Sequence, residues 1–309
     1  MSKVAWSPRA TREVLLLRAR MRDQIRAHFS ANALEIDVPV CQGGPNRDHG
    51  VQVASIAQPQ RWLTTSPEHP LKRLVAAGYG AVWSLSPCVR LGESGRLHRP
   101  EFTMLEWYRP GWSLAALQDE CIQLLALLLD RKLSVQEISW SRAMAMVLGV
   151  SPCAVDDEAL HRCAPELPAD CSRSDCLDYI FATQVQPQLG KNCCTVVNQW
   201  PAAACAQAKV LPAADGNNYA ARFELFIDGV ELANAYDECW DAAEMRRRFS
   251  ADAQHRAETN PQHDEAYLAS LAHDPGPVCG VAMGFDRIIL LAAGLSDIGD
   301  GMAFPWEIA

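Results

Sequence analysis

The chain has 309 residues, of which 49% are hydrophobic and 21% charged, enough apolar side chain for a sizeable core and too much for disorder throughout. The formal net charge of −9 argues against bulk nucleic-acid binding through a basic surface. It leaves a protein partner or a local basic patch open.

The first lysine and arginine lead into no apolar segment, so no secretion signal is expected. The longest aliphatic run, near Leu124 to Leu129, is too short to span a bilayer. Twelve cysteines are scattered without a CxxC pair, and with no export signal they are expected as reduced thiols in a cytoplasmic protein.

Val14, Leu17, Met21, Ile25 and Phe29 recur at helical spacing and predict an amphipathic helix over 11–30. Residues 34–40 alternate like a strand but contain Pro39, which interrupts it. A short strand over 61–65 follows, then the turn Ser66-Pro67-Glu68 and a helix over 70–77. Residues 81–90 and 101–108 read as two antiparallel strands joined by a polar loop. A second long helix is expected over 113–130, with Leu114, Leu117, Cys121, Leu124 and Leu128 on one side. Residues 133–190 are less regular and predict a small helical insertion. Residues 196–200 form a candidate strand. Asp228-Gly229 is a strong turn signal for a hairpin over 222–238. A polar helix over 243–258 precedes Gly280 to Gly284, which leads into a helix over 286–293. Strands and helices mix without regular βαβ alternation, so the expected class is α+β with an antiparallel sheet flanked by helices.

The chemistry concentrates between Arg90 and Tyr108. An arginine ends one strand, a polar loop follows, and an aromatic residue opens the return strand. Such a loop can fold over a nucleotide, with the planar fork of Arg90 on a phosphate and Phe102 stacked on a base. Glu224 and Glu231 flank the Asp228-Gly229 turn. A two-residue turn puts them on one sheet face as diagonal neighbours, about 7–8 Å apart. Like charges there are unfavourable without a cation and suit a hard Mg²⁺ between them; the plainer alternative is two solvated strand-end glutamates.

The run Arg90 to Tyr108, with its Glu-Phe-Thr-Met, closely resembles motif 2 of the lysyl branch of class II aminoacyl-tRNA synthetases. Pro39 resembles the proline of motif 1, and Gly284-Phe285-Asp286-Arg287 the end of motif 3. The segments Thr65 to Glu68, Leu105 to Pro110 and Glu231 to Asn234 resemble the elongation factor P–(R)-β-lysine ligase family, in which the synthetase domain stands without an anticodon-binding domain. Here too the catalytic part begins near residue 11, so a single domain over 1–309 is expected.

The resemblance implies ATP and Mg²⁺ as cofactors and elongation factor P as the acceptor of an activated lysine or (R)-β-lysine. It also implies a homodimer formed through motif 1, and disfavours tRNA. It implies ATP contacts at Arg90, Leu91, Gly92, Glu93, His98, Arg99, Phe102, Glu231, Leu232, Gly284 and Arg287, with Arg90 and Arg287 catalytic. For the amino acid it implies Ser66, Pro67, Glu68, Glu106, Tyr108, Asn234, Tyr236, Glu238 and Ala282. A lysine carries two ammonium groups, each needing a carboxylate once desolvated, and Glu68, Glu106 and Glu238 fit that need. Three positions depart from the synthetase pattern: Gly92 replaces an acidic residue, Arg99 replaces asparagine, and Ala282 replaces glycine, as it also does in the ligase family. A truncated lysyl-tRNA synthetase and a non-catalytic lysine-binding or nucleotide-binding paralogue are the alternatives.

Overall fold

A computed structural model describes residues 6–46, 51–168, 170–212, 218–255 and 262–309. The chain divides into two compact units: Met1–Arg131 with Ala206–Ala208 and Ala235–Ala309, and Lys132–Cys205 with Lys209–Asn234.

In the first unit, helix Arg12–Phe29 starts where the Thr11 hydroxyl accepts a hydrogen bond from the Val14 amide, the usual way to satisfy a free first-turn donor. Its buried residues are Met21, Ile25 and Phe29, one face at i, i+4, i+8. Three antiparallel strands lie in the order Val82–Val89, Glu101–Pro110, Val278–Gly284, and Leu34–Glu35 adds a parallel strand beside Val82.

The register sorts these strands into two faces. One carries Trp83, Leu85, Leu105, Trp107, Val281 and Met283, and the Phe29 ring stacks on Trp83 at 5.0 Å. The other carries Ser84, Glu106 and Ala282 in one cross-strand row and Val82, Tyr108 and Gly280 in the next. The apolar face is thus spent on the helix, and the polar face is left for chemistry.

The strand expected over 34–40 becomes two short strands, Leu34–Glu35 and Cys41–Gln42, in different sheets. Pro39 has no amide donor to continue a ladder between them. The helix expected from 70 begins at Glu68, because Pro70 falls in the first turn, where helical amides have no intrahelical partner in any case. Helix Leu114–Leu128 is capped by Ser113. Its Glu120 takes hydrogen bonds from Trp107 Nε1 at 2.8 Å and Arg109 Nε at 3.0 Å.

In the second unit, Cys194–Pro201 pairs parallel with Val135–Ser139 and antiparallel with Asn218–Ile227, which also holds Val210–Pro212. The pairing is therefore mixed, with two parallel pairs where an all-antiparallel sheet was expected. Helices Trp140–Leu148, Asp157–Cys163 and Arg173–Ile180 occupy the irregular stretch. Asp228 and Gly229 both have positive φ, 52° and 76°, the requirement of a tight two-residue hairpin turn. Strand Val230–Asp237 follows.

The helix predicted over 243–258 is found as Ala242–His255, and 256–258 lie outside the described residues. Among the described residues, no helix is long and apolar enough to cross a membrane.

Candidate active site

In the first unit, two groups of predicted residues assemble. The first is cationic. Arg90 follows strand Val82–Val89, and its guanidinium carbon lies 5.2 Å from the centre of the Phe102 ring. Its Nε donates to the Thr65 carbonyl at 3.0 Å, and Glu93 stands 3.8 Å from its Nη1. The Phe102 ring thus supports the guanidinium while a backbone carbonyl fixes its rotation.

Arg287 lies in the first turn of helix Phe285–Ala292, and its Nη2 lies 2.6 Å from His98 Nε2. That contact brings together the motif 2 loop and the motif 3 helix. Asp286 anchors this helix: it accepts the Thr103 amide at 2.6 Å and pairs with Arg18.

Gly92 has φ +79°, a conformation that costs an acidic residue energy and glycine almost none, so this departure has a backbone reason. Arg99 is buried, with Asp297 2.6 Å and Glu307 2.5 Å from its guanidinium, and it donates to the His98 carbonyl at 2.8 Å. Its charge is thus committed to the protein's own carboxylates. Leu91 is exposed and bridges to Gln52, and Gly284 caps the Arg287 helix.

The second group is acidic and buried. Ser66, Pro67 and Glu68 lead into helix Glu68–Ala76, and Glu106 and Tyr108 lie on the polar face of the central strand. Glu106 accepts from the Ser66 hydroxyl and from the Tyr108 hydroxyl, the latter at 2.6 Å. Glu238 follows strand Val230–Asp237.

Lys72, which the sequence reading missed, is the hub of this group. Its Nζ is wholly buried, 2.7 Å from Glu68 Oε1, 2.6 Å from Glu238 Oε2 and 3.1 Å from Gln207 Oε1. The signal was available: Glu68 and Lys72 are four apart on a helix, the spacing of an ion pair. Gln207 also accepts from the Tyr267 hydroxyl at 2.7 Å.

Gly280, opposite Tyr108, was missed too. A Cβ there would lie 2.5 Å from Glu238 Oε1 and collide with the Tyr108 ring, so only glycine lets these groups approach. Ala282 lies directly across from Glu106. Tyr236 stands two residues before Glu238, half-buried.

The electrostatics follow from burial. Desolvation first, then the nearby Glu68 carboxylate, push Glu106 up to about 7 against the hydrogen bonds from Ser66 and Tyr108. Burial pushes Glu238 up to about 8, with Lys72 pulling it back and Glu68 adding to the rise. Burial alone would lower the Lys72 pKa, yet Glu238 and Glu68 hold it well above its ordinary value. Burial and the Glu106 charge raise Tyr108, which remains a neutral donor.

In the second unit, Glu224 is buried and paired with Arg222, whose guanidinium carbon lies 4.4 Å from the Trp200 ring centre. Glu231 and Asn234 are half-buried on the strand after the turn, with Leu232 buried between them. The carboxylates of Glu224 and Glu231 are hard oxygen donors, the chemistry that suits Mg²⁺.

The first unit thus sets terminal arginines and an aromatic platform in one group, the chemistry that meets a polyanion, and buried carboxylates in another, the chemistry that meets a cation. The family profile for class II tRNA synthetases (D, K and N) matches residues 4–307. Three curated relatives are named elongation factor P–(R)-β-lysine ligase. The one from Avibacterium paragallinarum is 35% identical over 100% of both chains. That from Proteus mirabilis is 34% identical over 99% of each, and that from Edwardsiella ictaluri 36% over 100% of each. The chain belongs to the class II tRNA synthetase family, in the branch of the elongation factor P–(R)-β-lysine ligases.

Proposed function

We propose that the protein uses ATP to activate lysine or (R)-β-lysine and transfers the acyl group to a lysine side chain of elongation factor P. One observation carries the amino-acid part of this reading. Three buried carboxylates, Glu68, Glu106 and Glu238, share the site with one buried ammonium, that of Lys72, which pairs with Glu68 and Glu238. With all of them ionised, the cluster is two charges short of neutral, and the two ammonium groups of a lysine or β-lysine supply that charge. The relatives' names support elongation factor P, rather than tRNA, as the acceptor.

In the first step, a carboxylate oxygen of the amino acid attacks the α-phosphorus of ATP, and the bond to pyrophosphate breaks. Arg90 and Arg287 neutralise the charge that develops on the phosphate oxygens, and Phe102 carries the adenine. Glu224 and Glu231 would hold Mg²⁺, which when bound would supply further neutralisation of phosphate charge. Ser66 and Tyr108 keep Glu106 oriented, and Lys72 holds Glu68 and Glu238 apart at fixed positions. In the second step, the nitrogen of the acceptor ε-amine attacks the acyl carbon. An amide forms, AMP leaves with the carboxyl oxygen, and the amine loses its extra proton to solvent. Positioning supplies most of the acceleration. We place the enzyme in the cytoplasm as a homodimer.

The test is to incubate the protein with ATP, each lysine isomer, and either elongation factor P or tRNA, and to weigh the products. A mass gain of one lysyl group on elongation factor P is expected. Charged tRNA with unmodified elongation factor P would overturn the acceptor. Glu238→Gln tests the pocket. Lysine KM should rise by roughly 30-fold or more, the effect of truncating a buried charge pair worth about 2–5 kcal/mol, with ATP KM little changed.

A further inference from the structure

Far along the chain from the motifs of the ligase site, the second unit gathers three metal-binding side chains. His161 lies on helix Asp157–Cys163, Cys176 on helix Arg173–Ile180, and Cys171 in the connection between them. Cys171 Sγ is 3.6 Å from His161 Nε2 and 3.3 Å from Cys176 Sγ. All three ligand atoms lie within 4.8 Å of one another. We propose that His161, Cys171 and Cys176 hold a zinc ion that staples these two helices together.

Four features support a built site. The donors are soft sulfur and imidazole nitrogen, which select zinc over the hard Mg²⁺ of the ligase chemistry. Zinc lies about 2.3 Å from sulfur and about 2.0–2.1 Å from nitrogen, so ligand atoms in its tetrahedron sit roughly 3.5–3.8 Å apart. The Cys171–His161 distance already matches, and the two sulfurs need to open by only a few tenths of an ångström.

The imidazole is also oriented for the task. Its Nδ1 lies 2.7 Å from the Asp157 carbonyl, which can only accept a hydrogen bond. Nδ1 therefore carries the hydrogen, and the lone pair of Nε2 faces the sulfurs, the usual outer-shell arrangement of a zinc-bound histidine.

The frame around the cysteines is held independently. Ser172 and Asp175 form a reciprocal cap at the start of the Cys176 helix. The Arg173 guanidinium ties that helix to the carbonyls of Pro152 at 2.6 Å and Val155 at 2.9 Å. Binding would convert both thiols to thiolates and release their two protons to solvent, leaving a neutral centre with a fourth position for water.

The proposal is tested on the full chain, expressed with added zinc and purified under reductant without metal affinity or chelator. Metal analysis is expected to find stoichiometric zinc that survives dialysis. Cobalt titration is expected to give the thiolate charge-transfer band and the visible bands of a tetrahedral site. Cys171→Ser and His161→Gln should lose the metal, whereas Cys153→Ser, an exposed thiol outside the group, should keep it. Lysine-dependent pyrophosphate exchange should stay within about twofold of the parent in all three variants. A parent protein with no more zinc than Cys171→Ser overturns the proposal. So does a mass lowered by the two hydrogens of a Cys171–Cys176 disulfide under reductant. Should the variants fail to fold, the cobalt spectrum of the parent decides alone, and a featureless titration overturns the site.

Discussion

The cationic and acidic halves of the first unit's site handle charge in opposite ways. Arg90 follows a strand, Arg287 opens a helix and His98 lies in the loop between strands, all half-buried or exposed beside partners that orient them. Glu68, Lys72, Glu106 and Glu238 are all buried, each held by protein groups within hydrogen-bond reach. The first arrangement suits a large polyanion that arrives with its own hydration. The second suits a small polycation that must shed water and find its partners in place. Removing a residue from the first half should cost catalysis and little stability, whereas removing one from the second should cost both.

The largest effect should come from Lys72→Met. It strips the buried ammonium from two carboxylates, and breaking such a pair costs about 3–5 kcal/mol of stability. Urea unfolding measures it, and the loss should grow above about pH 8, where Glu238 is ionised beside Lys72 in the parent but, without Lys72 to pull its pKa back, resists ionisation in the variant. A change below about 1 kcal/mol would break the comparison, because the acidic half would then be as tolerant as the cationic one.

Arg90→Ala and Arg287→Ala should each lower lysine-dependent pyrophosphate exchange by about 10²–10³-fold, the cost of one preorganised charge stabiliser. Their unfolding midpoints should barely move. Full exchange in both variants would remove these residues from the chemistry.

Ala282→Gly should shift the ratio of kcat/KM between lysine and (R)-β-lysine toward the α-amino acid, by roughly 10- to 200-fold. Ala282 lies across from Glu106, one of the carboxylates proposed to meet the amines, and the two isomers carry one amine on different carbons. An unaltered ratio would put isomer selection elsewhere, for example at Ser66 or Trp107.

The smallest effect is a pH dependence. Glu106 is raised from 4.5 to about 7 in the folded protein. Its protonated form therefore contributes stability below about pH 4.5, and that contribution is lost as pH rises through about 7. A bound ammonium favours the ionised form instead. Calorimetric lysine affinity should accordingly strengthen from about pH 6 to about pH 8, by at most about tenfold per unit for each proton released. Glu106→Gln should flatten both curves, and a variant that still follows the parent would assign the titration to another group.

The sequence by itself determined the elements whose causes are local. The helix over Arg12–Phe29 follows from its i, i+4 apolar stripe and the Thr11 cap, and the Asp228-Gly229 turn from two residues that tolerate positive φ. The antiparallel pair around Arg90 and Phe102 follows from two strands joined by a short polar loop. The class II resemblance rested on the same kind of contiguous pattern, and the family match covers nearly the whole chain.

Tertiary structure alone decided what depends on residues far apart in the chain. Lys72 meets Glu238 across 166 positions, Gly280 is required by the Tyr108 ring and Glu238, and Arg99 is taken up by Asp297 and Glu307. The parallel pairing of Val135–Ser139 with Cys194–Pro201 spans an intervening helical stretch, beyond any local periodicity. The physical reason is the same in each case. A side chain's charge state and partner are set by burial and by neighbours that only folding brings within a few ångströms, and sequence spacing records neither.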